Sequence, residues 1–187
     1  MLPKHLCHYY DCSRGPFQNL SDLPADKAED ILQRIRKRGI GFASQRSSDY
    51  LTIRWELETR VRNLFIEKGG NPQRERPHYM ILGSCDWLKS WYAEAGELCI
   101  PLALFASEHV SFTYGDTFPA MRYGDGKAYR GQVYILAELS ELVEQYGLPQ
   151  IWNQDGQHGP DRYIEAQIWD DGVLNHWLQN NRDRFSP

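Results

Sequence analysis

The chain has 187 residues, 41% hydrophobic and 25% charged, which excludes a sequence too polar to bury a core and fits one domain over 1–187. A formal net charge of −4 excludes a general attraction to polyanions, so a nucleic-acid partner would need a local basic patch. No apolar run approaches the length of a bilayer span, and the amino-terminal MLPKHLCHYY lacks the apolar stretch of a signal peptide. The expectation is a cytoplasmic protein whose cysteines Cys7, Cys12, Cys85 and Cys99 are reduced thiols, with no membrane partner.

The first predicted element is a strand over 6–10, followed by a polar loop over 16–24. Ala28, Ile31, Leu32 and Ile35 then recur with the spacing of one helical face, and Gly39 ends that helix after a basic last turn. Residues 40–43 form a short strand candidate. A second helix is predicted over 49–68, with cap candidates in Ser47, Ser48 and Asp49 and a buried stripe of Ile53, Leu57, Val61, Leu64 and Phe65. Residues 79–82 read as a strand, 87–92 as a short helix and 110–114 as a strand rich in β-formers. The stretch 115–130, punctuated by Gly and Pro, is a long polar loop of the kind that often carries function. A strand candidate over 131–135 precedes a third helical stripe, Leu136, Leu139, Leu142, Val143 and Tyr146, closed by Gly147. A second polar loop over 148–162 leads to the clearest strand, 163–169.

In that last strand the pleat sends Ile164, Ala166 and Ile168 to one face and Tyr163, Glu165, Gln167 and Trp169 to the other. Glu is depleted in strands, so Glu165 belongs either to a solvated outer face or to a cleft lined by a carboxylate. His8 and Tyr10 share a face of the first strand; a strand histidine is either a hydrogen-bonded structural residue or a ligand group. The aromatic-rich composition, 13% of the chain, suits a large core or a cleft that stacks flat ligands. The arginines at 34, 36, 38, 46, 54, 60, 62, 74 and 76 form either solvated helix faces or a basic patch. The group His5, Cys7, His8 and Cys12 lacks the paired spacing of a zinc site, and no metal is expected.

The order of these elements resembles the ADP-ribosyltransferase fold, and in particular the DarT-type enzymes that modify single-stranded DNA. The matching segments are Cys7-His8-Tyr9-Tyr10, then Ile31-Leu32 and Gly39-Ile40-Gly41-Phe42-Ala43. They continue with His78-Tyr79-Met80-Ile81-Leu82, Ser111-Phe112-Thr113-Tyr114-Gly115-Asp116, and the strand Tyr163-Ile164-Glu165-Ala166-Gln167-Ile168-Trp169. The resemblance spans residues 5–170 and departs from the pattern at an inserted Ser13-Arg14-Gly15-Pro16 and at extra Gly and Pro residues around Asp116. It implies an α+β fold with a split, mostly antiparallel β-sheet and packed helices. It also implies NAD as substrate and the activity of a toxin or defence effector held in check by an antitoxin or inhibitor protein. Glu165 takes the place of the catalytic carboxylate. Arg54, with Arg60 as the other candidate, takes that of the catalytic arginine.

The chemistry makes sense of these roles. Breaking the bond from ribose to nicotinamide develops positive charge on the sugar, which a carboxylate such as Glu165 stabilises, with Gln167 as a polar neighbour. A pyrophosphate suits the fork of Arg54, a ribose hydroxyl suits His8, and the cationic nicotinamide ring suits the aromatic face of Tyr50 or Tyr79, with Tyr10 a further cofactor-binding candidate. No GxGxxG, P-loop, HExxH or GxSxG motif is present, so NAD would not bind in the Rossmann manner. Two further readings stand beside this one. One is a non-catalytic module whose aromatic cleft binds a nucleotide, peptide or protein. The other is a hydrolase using His8 or His158 with Asp116.

Overall fold

A computed structural model of the chain describes residues 1–39 and 42–181. Its centre is a six-stranded sheet, and every strand pairing in it is antiparallel. The strands are β1 (His5–Asp11), β2 (His78–Leu82), β3 (Ala95–Pro101), β4 (Val110–Tyr114), β5 (Tyr134–Ile135) and β6 (Ile164–Ile168), in the spatial order β3-β1-β2-β6-β4-β5. This is the α+β architecture expected from the element pattern.

Strand alternation sorts the side chains into two layers. On one face Leu6, Met80, Leu98, Ile100, Phe112, Ile164, Ala166 and Ile168 form the main core. Residues from α5 (Leu139–Tyr146) and α7 (Gly172–Asn180), among them Leu142 and Leu174, complete it. On the other face α2 (Tyr50–Glu67) lays Leu57, Val61 and Phe65 against Trp169 and against Met121 of the short helix α4 (Thr117–Arg122). Helix α1 (Ala25–Arg38) packs outside α2 through Ala28, Leu32 and Leu51.

Several elements extend or correct the sequence reading. The expected loop over 115–130 contains α4, and the loop over 148–162 contains α6 (Pro149–Trp152). The short helix expected over 87–92 is α3 (Asp86–Lys89), and β3 and α7 carry no strong periodic signal of their own. Of the strand expected over 40–43, residues 40 and 41 lie outside the described residues, and a 3₁₀ turn spans Phe42–Gln45. The expectation of reduced thiols is corrected at one pair. Cys7 on β1 lies directly opposite Cys99 on β3, and the two are joined as a disulfide, whereas Cys12 and Cys85 are free. Sequence separation of 92 residues hid a pairing that strand register makes immediate. No helix among the described residues is long and apolar enough to cross a membrane.

Candidate functional site

The sheet has a weak seam. β1 pairs with β3 along its whole length, yet its register with β2 is confined to Cys7 opposite Ile81. One residue further on, the His8 side chain rather than a backbone amide meets the Tyr79 carbonyl, donating from Nδ1 at 2.8 Å. A cavity of about 270 Å³ opens at this seam, lined by residues 7–11 of β1, 78–81 of β2, Glu165 of β6 and Tyr50 and Arg54 of α2. The ladder between β1 and β2 stops at the cavity, but the sheet stays one continuous six-stranded sheet and not the split one expected.

Glu165 forms one wall. The residues opposite it are Thr113 on β4 and Ile81 on β2, so its side chain points under the helical layer and not into solvent. It is only 7% exposed, which rules out the solvated face of the two alternatives. Its Oε1 accepts from the Thr117 amide at 3.1 Å, from the Thr117 hydroxyl and from Gln167 Nε2 at 3.4 Å. Oε2 makes no hydrogen bond among the described residues, and the side chain lines the cavity.

Thr117 reaches Glu165 because Gly115, at φ 92, turns the chain sharply out of β4, and because the Asp116 side chain caps α4 by accepting from the Phe118 amide at 2.8 Å. The other Asp116 oxygen accepts from the Tyr163 hydroxyl at 3.0 Å. Burial, then the negative charge of Asp116, push the Glu165 carboxyl up to about 8, against the opposing pull of its hydrogen bonds to Thr117 and Gln167. Gln167 is fully buried, accepts from Ser111 Oγ at 2.9 Å and donates to Thr113, Thr117 and Glu165. It does not line the cavity, so its place is behind Glu165 and Thr117, not against a ligand as expected.

The opposite wall comes from one face of α2. Tyr50, Arg54 and Glu58 follow at intervals of four and stand in line. Arg54 donates from Nε to Glu58 Oε1 at 2.8 Å, from Nη1 to the Tyr50 hydroxyl at 3.0 Å and from Nη2 to Asn19 Oδ1 at 2.5 Å. Its guanidinium lies 4.9 Å from the centre of the Tyr79 ring. Tyr79 in turn donates to Glu58 Oε1 at 2.9 Å. Burial, then the charge of Glu58, push the Tyr79 phenol well above its ordinary range. Arg60, the other arginine candidate, does not line the cavity; it donates to the Met121 carbonyl at 2.8 Å.

The remaining expected ligand groups are placed as follows. His8 lines the cavity with both nitrogens engaged: Nδ1 on Tyr79, and Nε2 accepting from the Phe17 amide at 3.0 Å. The Phe17 ring stacks on the imidazole at 4.3 Å, and Phe17 holds a left-handed backbone, φ 56, to do so. Burial lowers the His8 pKa to about 4, so the ring is neutral and structural in this conformation. Tyr10 lines the cavity too, and its ring lies over Gly96, where a Cβ would come within 2.4 Å of it. Tyr50 already has Phe118 stacked on its ring at 5.1 Å and the Arg46 guanidinium at 4.4 Å, so its face is less open to a ligand ring than that of Tyr79. His158 lies beside Trp152, with ring centres 6.0 Å apart, and does not line the cavity, whereas Asp116 does.

A second cavity, about 510 Å³, continues from the first and shares Arg46, Tyr50, Asp116, Phe118 and Tyr163 with it. It adds Trp87, Arg122, Tyr123 and Arg162, with the Arg162 guanidinium 4.1 Å above the Trp87 ring. Of the arginines expected to build a basic patch, Arg36, Arg74 and Arg76 are tied to carboxylates of Glu29, Asp22, Asp171 and Glu75. Among Arg34, Arg36, Arg38, Arg46, Arg74 and Arg76, Arg46 alone lines either cavity.

Comparison of the chain with models of protein families, with curated proteins and with solved structures finds no match.

Proposed function

We propose that the seam cavity binds NAD and cleaves its ribose–nicotinamide bond, passing ADP-ribose to an acceptor that enters along the adjoining aromatic groove. The observation that carries this reading is Glu165, whose Oε1 is fixed by Thr117 and Gln167 while Oε2 is left to the cavity. A carboxyl group held this way is aimed in advance at charge that develops in a transition state, and needs no reorganisation to meet it. The raised pKa leaves the empty site largely protonated at neutral pH, and a bound pyridinium ring or a sugar carbon gaining positive charge pulls the carboxyl towards its ionised form. The bonding pair leaves with nicotinamide, an acceptor oxygen or nitrogen supplies the new pair to the same carbon, and the acceptor's proton passes to ionised Glu165.

The rest of the lining fits the substrate's parts. Arg54 uses three of the five N–H donors of a guanidinium on protein groups, so one on each terminal nitrogen is left for a pyrophosphate oxygen. The rings of Tyr79 and Tyr10 supply flat apolar surface. His8 shapes this wall instead of holding a ribose. In the groove, Arg46, Arg122 and Arg162 suit phosphates, and Trp87 and Tyr123 suit unpaired bases, so single-stranded nucleic acid is the acceptor this surface favours.

A second reading, a nucleotide-binding module without catalysis, is favoured by the full commitment of His8 and by the tightly held proton of Glu165. Incubation with NAD and chromatography of free nicotinamide separates the two. Release that drops by about 10²-fold or more in Glu165→Gln supports the transferase. Binding of NAD by the wild-type protein with no release supports the module.

A further inference from the structure

Glu58 on α2 is only 1% exposed, and it does not itself line the cavity. A carboxylate deep inside a protein is costly unless it is paired and hydrogen-bonded. Here one oxygen gathers three donors from three separate elements: Ser21 Oγ at 2.7 Å from the turn Leu20–Asp22, Arg54 Nε at 2.8 Å from α2, and the Tyr79 hydroxyl at 2.9 Å from β2. The other oxygen is buried with no hydrogen-bond partner among the described residues, and Arg76 Nε stands 3.8 Å away. A pair placed only for stability would satisfy both oxygens; this one concentrates its bonds on the atom that touches Arg54 and Tyr79.

Both of those residues line the cavity, and each donates a hydrogen bond to Glu58. Nε fixes the plane of the guanidinium, and Tyr50 and Asn19 then fix its rotation. Tyr79 is fixed by its hydroxyl, and its ring supports the guanidinium from beneath. We infer that Glu58 is a positioning residue, which acts through Arg54 and Tyr79 to present the two unused guanidinium N–H groups to the pyrophosphate of the bound dinucleotide. This rests on the NAD reading of the cavity.

The inference separates the roles of the two glutamates. Glu165 acts on the reacting carbon and so governs kcat. Glu58 acts on a part of the substrate that does not react, so its loss weakens ground state and transition state alike and appears in KM. The experiment measures NAD affinity by calorimetry, and kcat and KM for nicotinamide release, in the full chain and in Glu58→Gln and Ser21→Ala. Ser21 does not line the cavity, so Ser21→Ala perturbs Glu58 alone.

Expected are a rise of about tenfold or more in Kd and KM for Glu58→Gln, with kcat within about threefold, and a smaller rise in the same sense for Ser21→Ala. In an Arg54→Lys background, Glu58→Gln should add little, because the group it positions is already gone. Unchanged Kd and KM in a folded Glu58→Gln overturn the inference and leave the NAD reading standing. If Glu58→Gln does not fold, unchanged Kd and KM in Ser21→Ala overturn it. Failure of the wild-type protein to bind NAD overturns both.

Discussion

Raising the pH should destabilise the fold through Glu165, and the structure sets the window. The folded-state carboxyl titrates near 8 against 4.5 unfolded, so between those values the native protein holds a proton that the unfolded chain has released. Stability from this group is full below 4.5 and is lost as pH rises through 8. His8 works in the opposite sense: its pKa falls from 6.5 to about 4 on burial, so its contribution is complete above 6.5 and is lost below that. The lowered His78 adds to the same low-pH side. Asp125, at about 2, and Asp171, lowered from 3.8, titrate below the window, and Cys85, raised from 9, titrates above it. From pH 6.5 to 8 Glu165 therefore acts without an opposing group among these. One proton of difference is ~1.4 kcal/mol per pH unit, so the loss across this window is at most about 2 kcal/mol. Urea denaturation at three pH values across it should show this fall in the wild-type protein and a flat line in Glu165→Gln, which keeps the acceptor for Thr117 but cannot ionise. An equal slope in both proteins would refute the assignment of the buried proton to Glu165.

Three further outcomes follow from the same geometry. Glu165→Ala should cost more stability than Glu165→Gln, by about 1–3 kcal/mol in urea denaturation, because it strands the buried Thr117 amide; equal losses would show that the amide finds another partner. Reduction of Cys7–Cys99 opens a closure between residues 92 apart and should lower stability by about 2–4 kcal/mol, read as a urea midpoint with and without reductant; no shift would argue that the bond does not form. Reversing Arg122 and Arg162 to Glu should weaken binding of a fluorescent single-stranded oligonucleotide, and flatten its salt dependence, while sparing NAD cleavage. Binding that is unaffected, or indifferent to salt in the wild-type protein, would retire the nucleic-acid acceptor.

Periodicity was enough to place α1, α2, α5 and β6, because each shows an apolar stripe at the spacing of its own element. The core side of β6, Ile164, Ala166 and Ile168, is legible from alternation alone. Its other face is not, since Glu165 and Gln167 look like solvated residues until α2 and α4 cover them. Glu58 was hidden for a similar reason. Spaced four residues from Arg54, it has the pattern of an ordinary exposed helix pair, and only the tertiary arrival of Tyr79 and Ser21 reveals its burial. His8 was legible as a candidate, but the insertion Ser13-Arg14-Gly15-Pro16 that brings Phe17 onto it acts through a loop conformation with no sequence period. Charge counting along the chain cannot see that Arg74 meets Asp22 and Asp171, or that of Arg34, Arg36, Arg38, Arg46, Arg74 and Arg76 it is Arg46 that lines a cavity.

The central claim is that Glu165 serves the cleavage of NAD, and the pH profile of nicotinamide release tests it most directly. The kcat/KM of the wild-type protein, followed by chromatography from pH 6 to 9, reports ionisation in the free protein. It should climb with pH, reach half its limit near 8, where the carboxyl is half ionised, and level off above. Glu165→Gln should show no such climb and sit about 10²-fold or more below the wild-type plateau. Nicotinamide release that persists in Glu165→Gln within about threefold of the wild-type rate would contradict the account.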